Sequence, residues 1–507
     1  MKQTSSITMD MPADVRYIIR QLEERGYEAY AVGGCVRDTI LARIPGDWDI
    51  TTSAGPEQVK AIFARTVDTG IQHGTVTVML HHVGYEVTTY RIDGEYADNR
   101  HPDQVEFTTN LGLDLERRDF TINAMAYNDS QGLIDLYGGL EDLENGIIRC
   151  VGDPEQRFDE DALRMLRAVR FSGQLGFRIE DHTRQAIIRR AKYLKNISAE
   201  RIRVETMKLL VSKDAGQIRE AYATGMTAVF LPEFDRMMQT DQCNPHHIYT
   251  VGEHSIRGVE WMNFFFGRKA GAWDDSIIPA PVEDMVGRLA DQCTEKQQQI
   301  LCLTMLLHDV AKPECMTVDE DGIGHFQGHP KRGSALAEQI MKQMTFDRET
   351  MDAVSRLIDC HDRQISPAAR SVRKAVSQIG RDLMPLLTLI QCADVLSQNP
   401  ETIGPKLDRI LAVDEKYQNI LETEAPLSIK ELAISGKDLI ALGVAPGPQM
   451  GILLRDLLEM VLENPEQNTR EILLEQVREN KVCFAHSCEL TTAKYEAHFA
   501  APARVTK

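Results

Sequence analysis

The stretch VGGCVRDTILARIPGDWDI, Val32–Ile50, sets a short apolar strand against a Gly-Gly turn, a helix, and two aspartates one residue apart. Gly33 and Gly34 let backbone amides come close to a phosphate, and a helix starting there points its positive N-terminal end at the same place. On this reading Gly34 and Arg37 are the candidate triphosphate contacts. A plain tight turn would carry the same two glycines, so the weight falls on the DxD. Asp47 and Asp49 are expected on a strand, where residues two apart project from one face. Two carboxylates so placed repel each other unless a hard, oxygen-seeking cation lies between them. Glu86, in VGYEVTTYR, is the third carboxylate that strand alternation brings forward. A pair of Mg2+ ions bridging an attacking hydroxyl and a leaving pyrophosphate is the chemistry such a set supports.

Outward from this stretch, residues 13–26 have the spacing of an amphipathic helix and Glu28–Val32 that of a short strand. GTVTVML and VGYEVTTYR are β-branched runs whose connection, His81-His82-Val83-Gly84, predicts a hairpin. The first 145 residues therefore predict an α/β unit with a mixed sheet. Beyond Gly146 helical spacing takes over, as in DEDALRMLRAVRF, where Leu163, Leu166 and Val169 share a stripe. The Gly-, Pro- and Asp-rich segment around residues 268–285 reads as a loop or insertion, and Gly443 to Gly451 punctuates the last helical region.

With 507 residues the chain calls for two or more domains. Hydrophobic residues make up 43% and charged residues 26%, without an apolar run of about 18, so a membrane span is not expected. MKQTSSITMD lacks an apolar h-region, and the ten Cys form no CxxC pair, which fits a reducing, cytoplasmic setting. Cys483, His486 and Cys488 are the nearest approach to a metal knuckle, but a fourth ligand is missing. A net charge of −19 argues against a general nucleic-acid coat. From Arg164 to Lys208, however, twelve Lys or Arg stand against four Asp or Glu, an island suited to polyphosphate or RNA unless its charges are simply solvated helix faces.

The order of GG-x-VRD, a DxD strand, RRDFTINA and EDxLRMLRAVRF resembles the class II CCA-adding enzyme and bacterial poly(A) polymerase family, within the DNA polymerase β superfamily, over residues 28–210. TGIQHGTVTV, EVTTYR and DGEYADNRHPDQVEF are similar to its CCA-adding branch. The resemblance implies that Gly34 and Arg37 contact the nucleotide, that Asp47 and Asp49 hold magnesium with Glu86 in support, and that Arg118 meets the incoming nucleotide while Asp119 helps select a ribose. Asp161 and Arg164, three apart on one helix face, offer an acceptor and a donor fork for the Watson–Crick edge of cytosine or adenine. Arg167 and Arg170 continue along that helix toward the nucleotide, and Glu200, Arg201 and Glu205 brace it. The loop Arg91–Phe107 matches one needed for the terminal A.

In the second half, NPHHIYTVGEHS, LLHDVAKP, FQGHPKRG, IDCHDR and CADVLSQNP resemble the HD phosphohydrolase superfamily. That implies His254, His308, Asp309 and Asp394 as metal ligands, with His329 and His361 as the extra ligands of two-metal members. A mixed imidazole and carboxylate set suits Mn, Ni or Co better than magnesium; the alternative is a helical scaffold that grips tRNA. The expected architecture is an α/β polymerase-β-like nucleotidyltransferase head (10–145), a helical neck (146–235), an HD-type metal-binding helical domain (236–400) and a helical C-terminal region (401–507). The expected function is template-independent addition of CCA to tRNA from CTP and ATP. An A-adding enzyme or poly(A) polymerase uses the same residues, and a phosphohydrolase or RNA-binding protein with an inactive polymerase half is a further alternative. Oligomeric state is not legible.

Overall fold

The computed structural model describes residues 7–93, 105–268 and 277–479. The N-terminal unit holds β1 (Ala29–Val32), β2 (Ile50–Thr52), β3 (Thr66–Gly70), β4 (Thr75–Leu80), β5 (Val83–Thr89), β6 (Arg91–Asp93), β7 (Val105–Phe107), β8 (Met125–Asn128) and β9 (Gly132–Asp135). Seven of these form one sheet in the order β3-β4-β5-β2-β1-β8-β9, while β6 and β7 pair separately. Among the described residues of that sheet β2 and β5 run parallel and the other pairs antiparallel, which is the expected mixed sheet. In the β4–β5 hairpin Leu80 pairs with Val83, so the turn is His81-His82 alone, and both take positive φ. A two-residue turn with both φ positive twists in the sense the strands need. Most of the Arg91–Phe107 loop lies outside the described residues.

The central strands are buried on both faces, because alternate residues feed two cores. Ala29, Ala31, Ile50 and Val87 join the large core beneath α1 (Ala13–Glu23). Tyr30, Val32, Ala124 and Ala126 join a smaller one with Leu111 and Leu115 of α3 (Leu111–Glu116). The helix expected over 13–26 ends at Glu23, as Gly26 turns to positive φ. α2 (Gly34–Ile40) opens directly at the glycine turn. Asp47 and Asp49 lie just ahead of β2 rather than within it, although Val32 N–H donates to the Asp49 carbonyl at 3.0 Å. Backbone pairing thus reaches one residue further than the regular strand.

The rest is mainly helical. Relevant here are α4 (Leu163–Leu175), α5 (Ala199–Leu210), α6 (Val251–Phe265), α7 (Glu295–Leu307), α8 (His329–Gln343), α9 (Arg348–Cys360) and α10 (Met384–Leu396). The segment expected as a loop around 268–285 already contains the start of the helix Ala280–Asp291, whose Val282, Met285, Val286 and Leu289 form a buried stripe. Pro281 does not break it, since proline is tolerated in the first turn. No described helix is long and apolar enough to cross a membrane.

Head and neck meet through Phe120 and Phe171, edge to face at 5.8 Å, and through Asp119, which takes two bonds from Arg167 at 2.9 and 2.6 Å. α4 also approaches the turn after α5 closely at Gly173, where a Cβ would stand 2.7 Å from the Asp214 carbonyl and 2.7 Å from Ser212 Oγ. Gly173→Ala should therefore cost roughly 1–3 kcal/mol of stability, read from urea unfolding; an unchanged midpoint would contradict this close approach. Burial alone would raise the pKa of Asp119, but Arg167 and the Asn123 amide hold its carboxyl far below the usual range. A carboxylate depressed on folding stabilises above its unfolded pKa of about 4 and gives that up as pH falls. Asp119→Asn should lose roughly 3–5 kcal/mol at pH 7 and show a shallower decline of stability below about pH 5. Identical acid limbs in the two proteins would remove the tether.

Candidate functional site

The carboxylate set forms at the edge where the central strand β2 begins beside β5. β2 and β5 run parallel with Ile50 beside Val87, both facing the large core, so one residue earlier on each chain brings Asp49 and Glu86 to the opposite face. Asp47, two residues before Asp49, shares that face, and all three carboxylates are exposed. Surrounding protein pushes the Asp49 carboxyl upward; Arg118 opposes this, and Glu86 and Asp47 add to it. A cluster that raises the pKa of its own member is one a divalent cation would relieve. The three do not gather as tightly as the second-half cluster below, for both groups of three ligand atoms within 4.8 Å among the described residues belong to that cluster.

Arg118 joins this edge to a cavity. Its guanidinium lies against Gly33, where a Cβ would stand 3.1 Å from Nη1, and Gly33 has φ +82°. Both facts demand glycine at Gly33 rather than Gly34. The Gly33 N–H is spent on the Met125 carbonyl at 3.3 Å, so it is not the phosphate donor the turn suggested. Arg118 Nη2 stands 3.6 Å from Asp114, a fully buried carboxylate that Arg117 and Thr51 also bind. Arg37 is 8% exposed, with Nη1 on Asn123 at 2.7 Å and its other nitrogens on Asp38.

The cavity, about 520 Å³, lies between head and neck and is lined by Arg118, Asp119, Asp161, Arg164, Arg167 and Arg201, among others. Asp161 is not on the face of α4. It sits in extended conformation between the helix Pro154–Glu160 and α4, where its Oδ1 accepts from Leu163 N–H. That break turns its carboxylate toward Arg201, which pairs with both oxygens at 3.3 and 2.8 Å. Arg164 is held by the carbonyls of Arg117 and Arg157 and by Glu160. Arg170 donates to Glu205 at 2.5 Å, so Glu205 holds α4 directly, whereas Arg201 holds Asp161 ahead of it and Glu200 lines the same cavity. Arg37, Arg167 and Arg170 all lie over the Phe171 ring, at 4.9, 5.3 and 3.9 Å. Phe171 and Asn123 escaped sequence reasoning, though both stand inside the quoted motifs.

A second cluster is buried among α6 to α10. His254 Nε2 and His308 Nε2 are 3.2 Å apart, Asp394 Oδ1 is 2.9 Å from the former, and Asp309 Oδ2 is 3.2 Å from the latter. On the other side of Asp309, His329 Nε2 and His361 Nε2 are 3.3 Å apart and lie 3.4 and 3.6 Å from Oδ1. Asp309 therefore bridges two imidazole pairs. Each ring Nδ1 faces a backbone carbonyl, of Ser397, Met305, Phe326 and Ile358 respectively, at 2.7–3.2 Å. A carbonyl only accepts, so each Nδ1 carries the proton, and a neutral ring then presents a bare lone pair at Nε2. Bare lone pairs facing at 3.2 Å repel unless a cation sits with them. Two nitrogens each about 2.1 Å from one ion stand about 3.0 Å apart at a right angle and about 3.4 Å apart at the tetrahedral angle, which brackets both spacings. His247 and Lys312 were not singled out from sequence. The His247 ring is 4.9 Å from His254, its pKa pushed to about 2 by burial, Lys312 and His254, and Lys312 Nζ is 2.7 Å from Asp309. Cys483, His486 and Cys488 lie outside the described residues.

Comparison with known proteins bears on both halves. A model of the poly A polymerase head domain matches residues 29–149, one of the probable RNA and SrmB-binding site of polymerase A matches 176–238, and one of tRNA nucleotidyltransferase domain 2 matches 332–477. The CCA-adding enzyme of Lactobacillus delbrueckii subsp. bulgaricus is 53% identical over 477 residues, covering 93% of this chain and 98% of that protein. That of Leuconostoc mesenteroides is 52% identical over 219 residues, covering 43% of this chain and 55% of its own length. The crystal structure of the Bacillus stearothermophilus CCA-adding enzyme in complex with CTP is 28% identical, with a TM-score of 0.65, covering 95% of this chain and all of that one. Similarity of this degree over nearly the full length of a relative, with the head sheet and neck cavity just described, means that the chain belongs to the CCA-adding enzyme family.

Proposed function

We propose that this chain adds C, C and A to tRNA 3′ ends from CTP and ATP without a nucleic-acid template. The observation that carries the reading is the neck cavity, where Asp161, Arg164 and Arg201 stand beside Arg118, and Arg118 is electrostatically coupled to Asp49. A nucleotide whose base enters among Asp161, Arg164 and Arg201 leaves its phosphates toward Arg118 and the carboxylate edge. Asp161 and the guanidiniums supply acceptor and donors to the edge of cytosine or adenine, a pattern that uracil and guanine do not present. Asp119 and Glu205 neutralise Arg167 and Arg170, which keeps these guanidiniums in place behind the cavity. Asp47 and Asp49, with Glu86 in support, would hold Mg2+, which when bound activates the 3′-hydroxyl and stabilises the leaving pyrophosphate.

The test is incubation with tRNA ending at the discriminator base and with single and mixed nucleotides. Wild type should add two C and one A; addition of A alone, or of long A tails, would favour the A-adding or poly(A) reading. Asp161→Ala should admit UTP and GTP while keeping most of the rate with CTP, and unaltered exclusion of both would end the base-reading role. Asp49→Asn serves as the inactive control.

A second reading is favoured by one feature, the four Nε2 lone pairs gathered on Asp309. We propose that His254, His308, Asp309 and Asp394, with His329 and His361, bind one or two transition-metal ions such as Mn, Ni or Co, which would support hydrolysis of phosphomonoesters or cyclic phosphates. Elemental analysis should find such an ion in wild type and a reduced amount in His308→Ala, while tRNA extension on magnesium persists in both. Absence of bound metal and of hydrolysis with any divalent ion would leave this bundle as a scaffold.

A further inference from the structure

Arg118 stands between two carboxylates. On one side Asp114 of α3 is fully buried, its Oδ1 taking Arg117 Nε and Nη2 at 3.0 and 2.7 Å and its Oδ2 taking Thr51 Oγ1 at 3.0 Å. Thr51 is two residues beyond Asp49, so Asp114 lies against the face of β2 from which Asp49 projects. On the other side is Asp49 itself, whose carboxyl is pushed up by burial and drawn down by Arg118. Of the two arginines only Arg117 is fixed. Arg118 Nη2 lies 3.6 Å from Asp114 Oδ2, too long for a hydrogen bond, and its Nε is buried without a partner. Its Nη1 faces Gly33, which has no side chain to hold it. The Arg118 guanidinium is thus placed mainly by charge.

We propose that Asp114 is a positioning residue whose buried charge holds Arg118 back from Asp49, so that Asp47 and Asp49 stay open to a divalent cation while Arg118 stays turned to the nucleotide. The inference rests on the nucleotide-addition reading of the neck cavity. A guanidinium beside the cluster of Asp47, Asp49 and Glu86 is drawn to it as a metal ion is, and once seated there it would take the ion's place. An opposing anion is needed to stop this. Arg117 binds Oδ1 of Asp114 alone, which leaves Oδ2 to Thr51 and Arg118. Of the carboxylates around Arg118, Asp114 acts on it most strongly, ahead of Asp49 and Asp119. Without that charge Arg117 would repel Arg118, and Asp49 would be the next carboxylate to draw it.

Binding of CTP to the full-length protein without tRNA, measured by calorimetry over a series of Mg2+ concentrations, tests this without catalysis. Asp114→Asn should move the Mg2+ midpoint up roughly tenfold, and saturating Mg2+ should restore wild-type affinity for CTP, which a merely structural loss would not allow. Thr51→Val removes a hydrogen bond but no charge, and should leave the midpoint in place. Arg118→Gln keeps Asp114 paired with Arg117 and should move the midpoint down; combined with Asp114→Asn it should behave as it does alone. The proposal is overturned by an unchanged midpoint in Asp114→Asn, by an affinity that Mg2+ does not restore, by an equal shift in Thr51→Val, or by a raised midpoint in the double variant. Should Asp114→Asn not fold, an Arg118→Gln midpoint at or above that of wild type overturns it as well. Wild type that shows the expected pattern yet adds nothing to tRNA would sink the addition reading and leave the role of Asp114 intact, whereas wild type that binds no CTP at any Mg2+ concentration would end both.

Discussion

One buried carboxylate holds the head to the neck. Asp119 Oδ1 takes the Phe120 N–H and the Asn123 amide, and Asn123 turns its own oxygen to Arg37; Oδ2 takes Arg167. Three guanidiniums around Phe171 would repel one another if left alone in a closed space. Asp119, Asp38 and Glu205 each neutralise one, so the cluster persists as hydrogen-bonded pairs rather than as stacked like charge. Loss of such a partner costs more than the pair gains, because the remaining charge stays buried and unsatisfied. The nucleotide cavity is thus shaped by charge balance as much as by packing.

The second-half cluster reaches order by another route. His308, His329 and His361 each bond a carbonyl three residues upstream, so the local backbone at a helix end fixes tautomer and ring orientation. His254 is aligned from afar, by the Ser397 carbonyl after α10. With four rings pinned through Nδ1, their Nε2 atoms face one another in two pairs and turn toward the carboxylates of Asp309 and Asp394.

Much of the head and of the helix that follows it was legible because their signals are local. The β4–β5 hairpin, the helix after Gly34 and the buried Leu163–Val169 stripe follow from periodicity and turn chemistry, which depend on neighbours in sequence. Asp47 and Asp49 were misassigned to a strand because alternation says which face a residue takes but not where regular pairing begins. The helix at Ala280 was missed because Pro281 and its neighbours read as breakers, whereas a first turn has no amide bonds for proline to disrupt. The basic island overstated the free charge, since its partners Glu155 and Glu220 lie outside the window in which it was counted.

By itself, the sequence determined the order of chemical parts: a glycine turn, a spaced acidic pair, an arginine-rich helix, and histidines with aspartates in a second unit. These are composition and spacing, which a chain carries before it folds. Tertiary structure alone decided that Gly33 rather than Gly34 must be glycine, because only folding brings Arg118 against it. It also decided that Asp161 leaves its helix to meet Arg201 and that Arg37 is committed to Asn123. Each of these joins segments tens of residues apart or more, at distances of a few ångströms, where charge, burial and close contact act; no local pattern records such distances.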